Sequence, residues 1–136
     1  EQGLYDDLII KSSNRVVIDG IELELQATLW RDFMPGDHPG GNGLMSINRL
    51  ISTDSTAIPG HIVLSAQYVL SEASVWEAVY SEEIFETPDY LIERIARNGP
   101  DWETGILVTI VAEVKSLRDD TTYYVRLEEQ KIYRTD

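Results

Sequence analysis

A chain of 136 residues with 43% hydrophobic and 26% charged side chains has the composition of an ordinary globular domain and can bury a real core. Twenty-four acidic against eleven basic residues give a net charge of −13, which repels phosphate backbones and anionic lipid and argues against nucleic acid as a partner. Cysteine is absent, which removes disulfides, thiolate metal sites and cysteine nucleophiles, and no apolar run reaches membrane-spanning length.

In chain order, residues 1–14 carry no strand signal and are expected to form a flexible N-terminal extension, with residues 15–136 as one β-sandwich domain. The chain opens at Glu1-Gln2-Gly3, as a mature exported protein or a trimmed chain would. Val16-Val17-Ile18 and Ile21–Leu29 read as the first hairpin, joined by Asp19-Gly20, a dipeptide that supplies the positive φ angles of a tight turn. In the second strand Ile21, Leu23, Leu25, Ala27 and Leu29 alternate with Glu22, Glu24, Gln26 and Thr28, one face buried and one wet. That phase puts Arg31 and Phe33 inward and Trp30 on the polar face. An inward arginine at a sheet end needs a carboxylate or a loop carbonyl, so Arg31 reads as a clamp on the loop that follows. This loop, up to Leu44, gathers two of the five prolines and four of the nine glycines.

Met45–Thr53 and Ile62–Leu70 are the next strands, the second with Ile62, Leu64, Ala66, Tyr68 and Leu70 as its expected buried face; Val75–Tyr80 is a shorter one. Residues 88–97 carry conflicting signals. Thr87-Pro88-Asp89 starts a helix well and Leu91, Ile92, Ile95 and Ala96 share a helical face, whereas the flanking strands favour an irregular strand; the strand is the reading adopted, with one short helix as the alternative. Asn98-Gly99-Pro100-Asp101-Trp102 reads as a tight turn with Trp102 as a plug. Ile106–Lys115 is a strand with apolar residues on both faces, hence central and covered on both sides. After a turn at Leu117–Asp120, Thr121–Leu127 returns as a strand, and the alternation slips around Glu128-Glu129, as at a bulge. About seven short strands define an all-β fold, expected as an antiparallel immunoglobulin-like β-sandwich, with a small barrel as the alternative.

Several chemistries are open to these residues. Met34, His38, Met45 and His61 are soft ligands that suit copper, but their spacing matches no tight site; Asp32, Asp37 and Asn42, or Asp101 and Glu103, offer oxygen ligands for calcium without a recognised loop. No metal and no cofactor is assigned. Trp30, with Trp76 and Trp102 near it, offers a stacking platform for a sugar ring; the alternative is that Trp30 covers the open end of the sheet. No nucleophile elbow, zinc-protease pair or phosphate loop occurs, so the chain reads as a non-enzyme. The ligand-binding candidates are Trp30, Asp32 and Trp102, for an unidentified protein or glycan partner.

Trp30-Arg31-Asp32-Phe33-Met34-Pro35 and, later, Ala96-Arg97-Asn98-Gly99-Pro100-Asp101-Trp102 resemble paired motifs of a small, uncharacterised family of bacterial exported domains. The resemblance spans residues 15–136 and runs through the last hairpin to Ile132-Tyr133-Arg134-Thr135. It implies an immunoglobulin-like sandwich exported to the periplasm or cell surface, often as a lipoprotein anchored upstream of the chain. It implies no activity.

Overall fold

The computed structural model describes residues 2–34, 41–72, 74–84 and 86–136. Among these residues one helix, α1 (Gln2–Lys11), precedes nine strands: β1 (Arg15–Ile18), β2 (Ile21–Asp32), β3 (Met45–Ser52), β4 (Ile62–Leu70), β5 (Val75–Val79), β6 (Glu82–Ile84), β7 (Leu91–Ala96), β8 (Leu107–Ser116) and β9 (Thr121–Thr135). The fold is all-β apart from α1. No helix among the described residues is long and apolar enough to cross a membrane.

The strands form one mixed sheet in the order β5-β4-β8-β9-β2-β3-β7-β6, with β1 also on β2. All the strand pairs are antiparallel except β2–β9, which is parallel through Leu29–Ile132 to Asp32–Thr135. This corrects the expected antiparallel sandwich of about seven strands. The physical cause is the length of β9. Its first part pairs with β8; it then bulges at Glu128-Glu129, where Glu129 takes a φ of 56°, and its end pairs with β2. One strand thus joins what would otherwise be two separate sheets, and the whole sheet curls into a half-barrel.

The concave face holds the main core, built from Leu23, Leu25, Leu29, Leu50, Leu64, Val69, Ile110, Ala112, Val114, Val125 and Ile132. Where the two halves face each other, Gln67 of β4 accepts hydrogen bonds from Ser46 and Asn48 of β3, and Asn48 also donates to the Tyr80 hydroxyl at 2.7 Å. Tyr80 in turn donates to the Ala66 carbonyl at 3.2 Å, and burial pushes its hydroxyl pKa up.

Ile62, Leu64, Ala66 and Leu70 of β4 are buried as expected, but they share one face only as far as Leu64. Ser65 is an extra residue in the β4–β8 register, its hydroxyl bonded to the Glu113 carbonyl and carboxylate at 3.0 and 2.8 Å. Past this bulge the phase inverts, so Gln67 and Val69 face the core while Tyr68 and Leu70 face the convex side. There α1 covers them. Leu8 is fully buried against Leu70 and Val111, with Leu4, Tyr5 and Ile9 beside it. The segment expected as an N-terminal extension is therefore a docked helix over residues 2–11. Leu4, Tyr5, Leu8 and Ile9 recur at helical spacing, the signal that the reading of this segment missed. Arg126 ties the end of α1 down, its Nη1 donating to the carbonyls of Ile9 and Ser12 at 2.9 and 2.8 Å.

Residues 91–96 form strand β7, not a helix, paired with β3 from Ser46–Ala96 to Ile51–Leu91. Their helical periodicity yields to the ladder that β3 offers. Among the strand expectations, β6 is the element that escaped notice, being three residues long and largely acidic.

Candidate functional site

On β2 the core residues Leu29 and Arg31 point to the concave side, so Trp30 and Asp32 point to the convex side. In register beside Trp30 stand Met45 on β3 and Tyr133 on β9. β7 follows β3, and the chain leaving it brings Arg97 and Asn98 to the same end, Asn98 in a left-handed turn with a φ of 63°. Trp30, Asp32, Asn42, Gly43, Met45, Arg97 and Asn98 together line a cleft of about 360 Å³.

Arg31 builds the frame of this cleft from the opposite side of the sheet. Arg31 is only 5% exposed. Its Nε donates to the Asn42 carbonyl at 2.8 Å and its Nη1 to the Trp102 carbonyl at 3.0 Å, while Nη2 lies 3.7 Å from the Asp101 carboxylate. One planar fork thus fixes both the loop after β2 and the loop after β7. Two backbone bonds reinforce the junction, Leu44 N–H to the Pro100 carbonyl and Gly99 N–H to the Leu44 carbonyl. The approach of the loops is so close that a Cβ on Gly43 would stand 2.3 Å from the Gly99 carbonyl oxygen. Phe33 adds to the arrangement, its ring meeting the guanidinium groups of Arg31 and Arg134 at 4.7 and 4.1 Å. The clamp role read for Arg31 is what the structure shows.

The electrostatics of the cleft are close to balanced. Arg97 binds both oxygens of Glu82 on β6, and this pairing raises the Arg97 pKa and lowers that of Glu82. The remaining Arg97 nitrogen reaches the Met45 sulfur at 3.8 Å. Asp32 accepts the Met34 N–H at 3.1 Å through one carboxylate oxygen. Carboxylate, carboxamide, guanidinium and indole thus converge on one small volume.

Of the three predicted ligand residues, the fold brings Trp30 and Asp32 together and sets Trp102 apart. Trp102 is half-buried against the core and contributes its carbonyl to Arg31, so it is a plug and not a platform. Trp76 is also packed on the core, with Gly99 against its ring. Arg97, Asn98 and Tyr133 were not singled out as site residues; strand pairing brings Arg97 and Asn98 to the cleft and Tyr133 beside Trp30, which no local spacing reveals.

Of the soft-ligand set, the described residues Met45 and His61 are far apart. Met45 lines the cleft, whereas His61 lies at the far end of β2, its Nε2 2.5 Å from Asp19. His38 and Asp37 lie outside the described residues. Among the described residues, no three His, Cys, Asp or Glu side chains are grouped to hold a metal ion.

Comparison of the chain with protein-family models, with curated proteins and with solved structures finds no match.

Proposed function

We propose that the protein is a non-catalytic binding module that takes its ligand in the Trp30 cleft. The observation that carries this reading is the placement of Trp30: a large aromatic directed away from the core, lining a largely polar cleft whose loops are held by a buried arginine. An indole of this kind is a rigid contact surface with little conformational entropy to lose on binding. The polar groups around it are positioned by strands and by backbone bonds, which suits recognition. Export to the periplasm or cell surface, with a lipid anchor upstream, belongs to the same proposal and rests on the resemblance of the two motifs. Kinship with immunoglobulin-like sandwiches rests there too, and the two apposed halves of the sheet support it, while the parallel β2–β9 pair departs from it.

A small-molecule fragment screen followed by amide and indole N–H resonances tests the site. Shifts are expected to cluster on Trp30, Asn42, Met45 and Asn98. Shifts concentrated elsewhere, or none at all, would reject the cleft as the binding site.

A further inference from the structure

We infer that the Trp30 cleft takes a neutral glycan, with one pyranose ring stacked on the Trp30 indole and the chain continuing over Tyr133. This rests on the binding-module reading and names its ligand class.

Three observations converge on it. The first is the aromatic floor. Trp30 and Tyr133 are register partners on neighbouring parallel strands, so both side chains leave the sheet on the same face. Their backbones are about 4.8 Å apart, the strand spacing, and Tyr133 is 54% exposed. Two rings side by side on a sheet form a strip, which fits a chain of sugar rings better than a compact ligand. The C–H face of a pyranose is apolar and slightly positive at its hydrogens, matching the negative face of an indole or phenol ring.

The second is the hydrogen-bonding character of the walls. Asp32 offers carboxylate oxygens, which only accept, and Asn98 carries a carbonyl that accepts and an amide that donates. A sugar hydroxyl is both donor and acceptor, so neighbouring hydroxyls are satisfied by this mixture. A purely cationic or purely anionic group uses only part of it.

The third is charge. Among the described residues, the one cation lining the cleft, Arg97, is held by both oxygens of Glu82, and the protein as a whole carries −13. An anionic sugar would meet a neutralised guanidinium, the Asp32 carboxylate and a repulsive long-range field. A phosphorylated ligand meets the same obstacle. A cationic ligand would find Asp32 and the ring faces, but with the Arg97 guanidinium on the same wall.

Affinity electrophoresis of the whole chain through gels holding neutral polysaccharides (a glucan, a xylan, a mannan), an anionic one (polygalacturonate) and a cationic one (chitosan) separates these outcomes. Retardation by at least one neutral polysaccharide is expected, with Trp30→Ala weakening it at least 10-fold and Tyr133→Ala a few-fold. In the unsubstituted protein, titration with the matching oligosaccharide should shift one of the three indole N–H resonances, assigned to Trp30 by its loss in Trp30→Phe. This readout does not depend on the stability of the alanine variant. Retardation confined to the charged gels would overturn the neutral class. Binding that survives Trp30→Ala, or an indole shift at Trp76 or Trp102 instead, would overturn the placement. If no polysaccharide retards the protein while fragments still perturb the cleft, the glycan assignment fails and the cleft stands as a site for another ligand.

Discussion

The two ends of β2 are both tied to neighbouring loops by charged side chains, yet they are built on opposite principles. At the Trp30 end a buried arginine donates to two neutral backbone carbonyls, so the charge is held away from water by fixed acceptors. At the Asp19 end the hairpin turn is held through the Asp19 carboxylate, which meets His61 at 2.5 Å and Arg118 at 3.9 Å close to solvent. The first arrangement is costly to disturb, because removing the cation leaves carbonyls without donors in a closed space. The second exchanges readily with water and salt. The costly end is the end with the cleft, and that is where rigid placement of Asn42, Asn98 and Trp30 matters.

The comparison can be broken by substitution. Arg31→Met should lower stability most, by about 3 kcal/mol, since it removes two charge-assisted bonds at once; a urea-unfolding midpoint moved by less than a third of that would show that the fork is dispensable. Gly43→Ala comes next. Its Cβ would meet the Gly99 carbonyl, and neither backbone can yield without undoing the bonds between the loops. About 2 kcal/mol is expected, whereas Gly20→Ala, at the other end with open space around it and a φ of 77°, should cost only about 1 kcal/mol. Thermal melts of the two variants side by side would reverse the comparison if Gly20→Ala proved the more damaging.

Asp19→Asn keeps a residue that tolerates the turn geometry while removing the charge, and its cost should stay below about 1 kcal/mol and shrink further in 1 M salt. A larger, salt-insensitive loss would mean that the Asp19 end is as closed as the other. The smallest effect is expected for Glu82→Gln, and it carries a pH signature. The Arg97 bond holds the Glu82 carboxyl below its ordinary value of 4.5, so the folded state gains from the charged form above that pH. That gain is lost as the pH falls through the lowered folded value. The wild type should therefore melt slightly above Glu82→Gln at pH 7, and the two curves should converge in acid; a gap that persists or widens there would contradict the pairing.

Much of the fold was legible because alternation is local. The inward phase of Leu23, Leu25, Leu29 and Arg31, the Asp19-Gly20 turn and the slip at Glu128-Glu129 all appear as predicted. Trp30 and Asp32 were legible as neighbours on the wet face for the same reason. The inversion at Ser65 was not, since a polar residue between apolar ones looks like ordinary alternation until its partner strand is known. Tyr68 and Leu70 then sat on the wrong side, and without them no apolar patch was visible for α1 to cover. Trp102 was read both as a plug and as a ligand residue, because a tryptophan in a Gly-Pro turn carries no mark of whether its ring faces water or core; the plug is what the packing shows.

By itself the sequence determined the strands, most of their faces and the inward arginine, because side-chain alternation and turn chemistry are properties of a few consecutive residues. Only the tertiary structure decided that β9 runs parallel to β2, that the sheet curls as one, and that Arg97, Asn98 and Tyr133 come to stand around Trp30. Pairing joins residues more than a hundred positions apart, as Leu29 and Ile132 are, and the choice among possible partners depends on the packing of the whole chain, which no local pattern records.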